Sequence, residues 1–191
     1  MTKIALLPHT NHLMPNGRME ITLIEPRHLR MMKDALSEKR RFALCMLNEE
    51  QKHAEIKQLP AIATLVRILD FNQTEEGFIS LIVEGEHCVK LTAVYHEFDG
   101  LFSADVTPLL KWPTQPTDTT TVQLADRLEA YFSSNPDKKA YYDDFPYDDI
   151  CWVSLRWIEI MPIEVHYKQL LMAQDSPKLT IRFLLKLFEN T

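Results

Sequence analysis

The sequence predicts an α+β protein: a closed or nearly closed antiparallel β-barrel lobe with one early helix, followed by a C-terminal helical bundle. Three patterns carry this expectation. Between Leu59 and Val106 short β-type runs alternate with turn formers, and consecutive antiparallel strands joined by short turns close on themselves. Between Ile21 and Leu36 a strand pattern switches to a helical one without a loop. From Thr121 onward the apolar residues recur at helical spacing.

The N-terminal run Lys3–Leu7 reads as the first strand, and PHTNHLMPNG after it as irregular backbone marked by Pro8, Pro15, Asn16 and Gly17. Met19, Ile21 and Leu23 alternate with Glu20 and Thr22, as in a half-buried strand. Leu29, Met32 and Leu36 then form a helical stripe, with Pro26 suited to the first helical position by its fixed φ and missing N–H. Phe42–Leu47 reads as a strand, residues 48–58 as a polar loop and Leu59–Phe71 as a long strand. NQTEEG at 72–77 makes a hairpin before a strand over Phe78–Val83, and Glu84-Gly85 reads as a tight corner using glycine's access to positive φ. Val89–Tyr95 and Phe102–Val106 are further strands, separated by a turn at Phe98-Asp99-Gly100.

LLKWPTQPTD, residues 109–118, reads as a linker, which divides the chain into a β lobe over 1–113 and a helical lobe over 114–191. Helices are expected over Thr121–Phe132, Ile150–Met161, Ile163–Ala173 and from Ser176-Pro177 to Asn190. The second of these, ICWVSLRWIEIM, is apolar almost all round and belongs at the centre of a core. On the last helix Leu179, Leu184, Phe183, Leu187 and Phe188 are expected to face inward.

Composition removes several classes of function. A net charge of −6 argues against a nucleic-acid surface. No apolar run reaches the roughly 18 residues that span a bilayer, and the N-terminus has no convincing cleavage site, so a cytoplasmic location is the default. Cys45, Cys88 and Cys151 form no C-x-x-C pair and sit among apolar neighbours, as buried reduced thiols do. His9 and His12 lack a third ligand at a usual zinc spacing. Asp143, Asp144, Asp148 and Asp149 flank Phe145-Pro146-Tyr147 without EF-hand spacing; Asp148 or Asp149 is expected to cap the next helix. No metal, cofactor or catalytic residue is therefore expected.

Three blocks of sequence resemble the Lon protease N-terminal substrate-binding domain family, and more closely its stand-alone members. LMPNGRMEITLIEPRHLRMM is similar to the opening signature, with Glu25, Pro26, Arg27, Arg30 and Met31 in place; Met14, Leu23 and His28 replace a Phe, an aromatic and a Tyr. IATLVRILDFNQTEEGFISLIVEGEHCVKL matches at Thr64, Ile68, Asp70, Phe71, Gly77, Val83 and Gly85, but has Ala63 for Gly, Glu76 for Asp, and Cys88-Val89-Lys90 where the family has a basic-aromatic-basic run. The third block, from Tyr147 to Glu189, matches at Asp148, Asp149, Trp152, Val153, Arg156, Glu159, Pro162, Lys168, Gln169, Leu170, Leu171 and Asp175.

The resemblance implies a PUA-like pseudobarrel followed by a helical bundle, and a role in contacting polypeptides. It implies no enzyme in these residues: there is no G-x-x-x-x-G-K-[ST], and Ser154 and Lys168 lie on predicted helices with no oxyanion-hole context. The expected function is a non-enzymatic recognition module for unfolded client polypeptides, with a separate protease as a further candidate partner and the contact surface near the seam between lobes. The alternative is an RNA-binding PUA-like domain. Candidate polypeptide contacts are Met14, Trp112, Phe145 and Tyr147, each expected in a loop or linker; for Trp112 a latch between lobes is the competing role.

Overall fold

A computed structural model describes residues 2–47 and 59–189, so the expected loop at 48–58 lies outside the described residues. The chain divides into two compact units, Met1–Leu109 and Leu110–Thr191.

The first unit contains β1 (Thr2–His9), β2 (Arg18–Leu23), α1 (Pro26–Leu36), β3 (Phe42–Met46), β4 (Ile62–Gln73), β5 (Ile79–His96) and β6 (Phe102–Pro108). The strands lie in the order β2-β5-β4-β3-β1-β6, and β5 also pairs with β6. That extra pairing closes β5, β4, β3, β1 and β6 into a hydrogen-bonded ring, with β2 as an added edge strand. The sheet is mixed, not purely antiparallel: β1 and β3 run parallel, Ala5 opposite Phe42 and His9 opposite Met46. A parallel pair needs a crossover, and the β2–α1 segment supplies it.

Both faces of β1 are covered. Ile4 and Leu6 join a core with Ala43, Cys45, Ala63, Leu65, Val89 and Ala104. Ala5 and Leu7 join another with Ile21, Leu23, Met31, Met32, Phe42 and Leu81. Burial on both faces explains the unbroken apolar run of this strand. Helix α1 begins with Pro26 in the first turn, as its sequence predicts, and buries Met31 and Met32.

The largest departure from expectation is β5. Two separate strands with a corner at Gly85 are in fact one strand of 18 residues, and the glycines at positive φ are Gly77 and Gly100. The bend comes from slips of register instead. Leu65 faces His87 and Val66 faces Gly85, which skips Glu86; Leu91 faces Val106 and Ala93 faces Asp105, which skips Thr92. Bulges of this kind bend a strand and sharpen its twist, so the first part of β5 pairs with β2 while the later part pairs with β6. Gly85 is required for close approach: a Cβ there would run into the carbonyl of Met14, and the Gly85 amide and carbonyl bond to Gly17 and Asn16 at 2.9 and 2.7 Å.

The β5–β6 turn is held by arginines. Arg30 donates to both Asp99 oxygens at 2.8 Å and to Glu97 at 2.6 Å; Arg40 also pairs with Glu97, and Arg27 donates to the Gly100 carbonyl at 2.9 Å.

The second unit contains α2 (Val122–Ser134), the unforeseen single turn α3 (Pro136–Lys139), α4 (Ile150–Ile160), α5 (Val165–Met172) and α6 (Lys178–Glu189). Eight of the eleven residues of α4 are buried, as its apolar circumference implies. On α6 the inner face is Thr180 and Leu184, whereas Leu179 and Leu187 are exposed. Two apolar stripes compete on this helix, and the sequence does not say which one meets the core.

Because the backbone of Met14 fills the space beside Gly85, Gly85→Ala is expected to destabilise the first unit by roughly 1–3 kcal/mol. Urea unfolding of the purified variant measures it.

Candidate functional site

The segment between α3 and α4 carries the aromatic residues singled out in the sequence. Phe145 and Tyr147 are half-buried, with exposed Asp143, Asp144 and Asp148 around them. Their rings stack with centroids 5.6 Å apart. Beneath them Trp152, 4% exposed, meets both edge-on at 6.2 and 5.8 Å. Tyr142 and Phe132 complete the cluster, each 5.2–5.4 Å from Phe145 or from one another. Edge-to-face and offset contacts of this kind hold rings in fixed orientation. Lys139 lies over the Phe145 ring at 5.9 Å. Burial, reinforced by the negative charge of Glu129, pushes the Tyr147 hydroxyl up to about 12, so it remains a neutral donor near neutral pH.

Asp149 fixes this segment. Its Oδ1 accepts from the Cys151 amide at 3.0 Å, capping α4, and from the Gln115 amide at 3.1 Å. The Ile150 amide donates back to the Gln115 carbonyl, and the Thr117 amide to the Asp148 carbonyl. The stretch expected to be a linker is thus tied to the start of α4, where Pro116 forms a bridge with Asp149 and the Cys151 thiol donates to the Pro113 carbonyl. Prolines suggested a free spacer because they lack donors, but their neighbours supply the bonds.

The structure treats the four candidate contacts unequally. Phe145 and Tyr147 come together at a partly open surface. Trp112 is 8% exposed and donates its indole N–H to the Gln174 carbonyl at 2.7 Å, inside the second unit. Met14 is fully buried in the first unit. A loop residue was expected to be exposed, yet the approach of Gly85 draws this loop into the core, and Met14 offers no contact surface.

Burial pushes the thiols of Cys45 and Cys88 up to about 12 and that of Cys151 up to about 11, so they stay protonated and poorly nucleophilic. Ser154 is wholly buried and Lys168 is 2% exposed. Lys168 donates to the Glu159 carbonyl at 3.2 Å, while the Glu159 carboxylate meets Arg156 at 2.6 Å. Among the described residues no group of three or more His, Cys, Asp or Glu side chains is placed to hold a metal ion. No helix among them is long and apolar enough to cross a membrane.

A ring of strands is thus followed by a helical unit that carries a cluster of aromatic rings. The family model described as the ATP-dependent protease La (LON) substrate-binding domain matches residues 3–190, and the chain belongs to that family. A crystal structure of a Lon N-terminal domain protein from Xanthomonas campestris superposes with a TM-score of 0.75 at 22% identity, covering 97% of this chain and 98% of that one. The N-terminal domain of the Mycobacterium avium complex Lon protease superposes at 0.63 with 15% identity and 97% coverage of each. At these identities the two structures establish the fold. No curated protein matches the chain.

Two outcomes test the second unit. Trp112→Ala removes a buried ring and its hydrogen bond and should cost roughly 3–5 kcal/mol, read as a lower melting temperature. Burial lowers the Lys168 ammonium to about 8 from 10.5, with the Glu159 charge opposing the shift. Between those values the unfolded chain keeps a proton that the folded chain has released, so this group makes stability rise with pH across that window. Denaturant unfolding from pH 8 to 10 should show the rise, and Lys168→Met should remove that part of the slope.

Proposed function

We propose that this chain is a non-enzymatic polypeptide-recognition module that holds apolar segments of unfolded clients, working with a separate protease in the cytoplasm. The observation that carries the reading is the match to the Lon substrate-binding family over residues 3–190. The half-buried pair Phe145 and Tyr147 is the contact surface it favours, because a braced aromatic pair binds apolar side chains with little further loss of freedom. Tyr167, Leu170, Leu179 and Leu187 add exposed apolar area to the same unit. The protonated thiols, the buried Ser154 and Lys168, and the absence of a phosphate-binding loop in these residues all fit a binding role without catalysis. The net charge of −6 gives RNA no electrostatic advantage.

Fluorescence anisotropy against a labelled, permanently unfolded polypeptide and a labelled single-stranded RNA, each at low and moderate salt, tests this. Saturable polypeptide binding that survives salt, without RNA binding, is expected. A Phe145→Ser, Tyr147→Ser double variant that still melts cooperatively should bind roughly ten-fold more weakly, about 1.4 kcal/mol. Salt-sensitive binding of RNA alone would overturn the proposal.

A further inference from the structure

A second feature, on the first unit, concerns how a client backbone could be held. β4 pairs with β3 only through Ala63–Val66. From Arg67 to Gln73 its strand partner among the described residues is β5 alone, in register with Glu84 to Ile79. Among the described residues no strand pairs with the other edge of this segment, where Arg67, Asp70, Asn72 and Gln73 are exposed, and so are Leu69 and Phe71, at 38% and 48%. An open edge offers unpaired backbone donors and acceptors to another extended chain.

Asp70 marks the point. The Thr74 amide donates to the Phe78 carbonyl at 2.8 Å, and bonded pairs alternate along an antiparallel ladder. With Gln73 opposite Ile79, Asn72 opposite Ser80 and Phe71 opposite Leu81, the Phe71 amide therefore faces away from β5, and there it donates to Asp70 Oδ1 at 2.8 Å. The surrounding charge selects the guest. Asp70, Glu75 and Glu76 are exposed here, while the cations beside them are already paired: Arg67 and Arg18 with Glu84 at 2.6 and 2.7 Å, and Arg41 with Glu86. Leu69 and Phe71 supply apolar contact beside this acidic rim.

We propose that the Arg67–Gln73 edge of β4 takes an extended polypeptide rich in apolar and basic residues as an added strand, with Asp70 guarding the Phe71 amide until the strand arrives. The proposal rests on the reading that the chain binds polypeptides, and names the backbone geometry and charge of a segment it takes.

The test uses the full chain and a short fluorescent peptide of alternating valine and lysine, compared with the same peptide N-methylated at every second amide. Strand addition predicts that methylation weakens binding roughly ten-fold or more, since it removes several backbone hydrogen bonds. Asp70→Ala should bind the unmethylated peptide several-fold more tightly than Asp70→Asn, which keeps the acceptor but also lacks the charge. Equal binding of both peptides would overturn strand addition and leave polypeptide recognition standing. So would failure of the peptide alongside binding of the long unfolded polypeptide. Failure of both ligands would overturn the recognition reading and this one with it.

Discussion

The first unit depends on β5 changing partners without ending. One strand of 18 residues pairs with β2 and the far half of β4 at its start, and with β6 and the near half of β4 at its end. A regular strand of that length would carry its twist past both sets of partners. The skipped residues Glu86 and Thr92 let it bend, and Gly85 lets the Met14 loop close against it at the bend. Thr64 completes the same joint by donating to the Leu13 carbonyl at 2.6 Å. Ring closure, the burial of β1 on both faces and the placement of the Met14 loop all follow from that one bent strand.

The second unit has a comparable fixed point in Asp149. One carboxylate oxygen serves the amides of both Gln115 and Cys151, so the start of α4 and the preceding proline-rich stretch are positioned together. Trp152, in the first turn of α4, then sits under Phe145 and Tyr147. The aromatic surface is therefore a consequence of a helix cap. A cap alone is worth about 1 kcal/mol, but here it also sets which rings can meet.

Much of this was legible in the sequence. Pro26 between two periodicities placed the strand-to-helix junction, and the apolar circumference of α4 placed it in a core. The family resemblance rested on three blocks, each tied to local pattern. What was not legible depended on distant partners. Alternation reports that a residue is in a strand but not the direction of its neighbour, so the parallel β1–β3 pair was unseen. Gly85 was read as a turn because glycine serves both positive φ and close approach, and only the position of the Met14 carbonyl distinguishes them. The irregular sequence around Met14 and Trp112 suggests loop or linker residues, whereas burial depends on what that irregular backbone packs against. The open edge of β4 carries no sequence signal separate from its neighbours; it exists because β3 stops pairing at Val66.

The pairing of β1 also has a consequence in time. Its two strand neighbours are β3 and β6, and Thr2 lies opposite Val106. During synthesis β1 thus precedes the other five strands of this sheet yet is enclosed only once β6, the last of them, has been made. Contacts of such long sequence separation form slowly, and an apolar segment waiting for them is prone to association with other chains. Ile4–Leu7, apolar and buried on both faces in the folded unit, is such a segment.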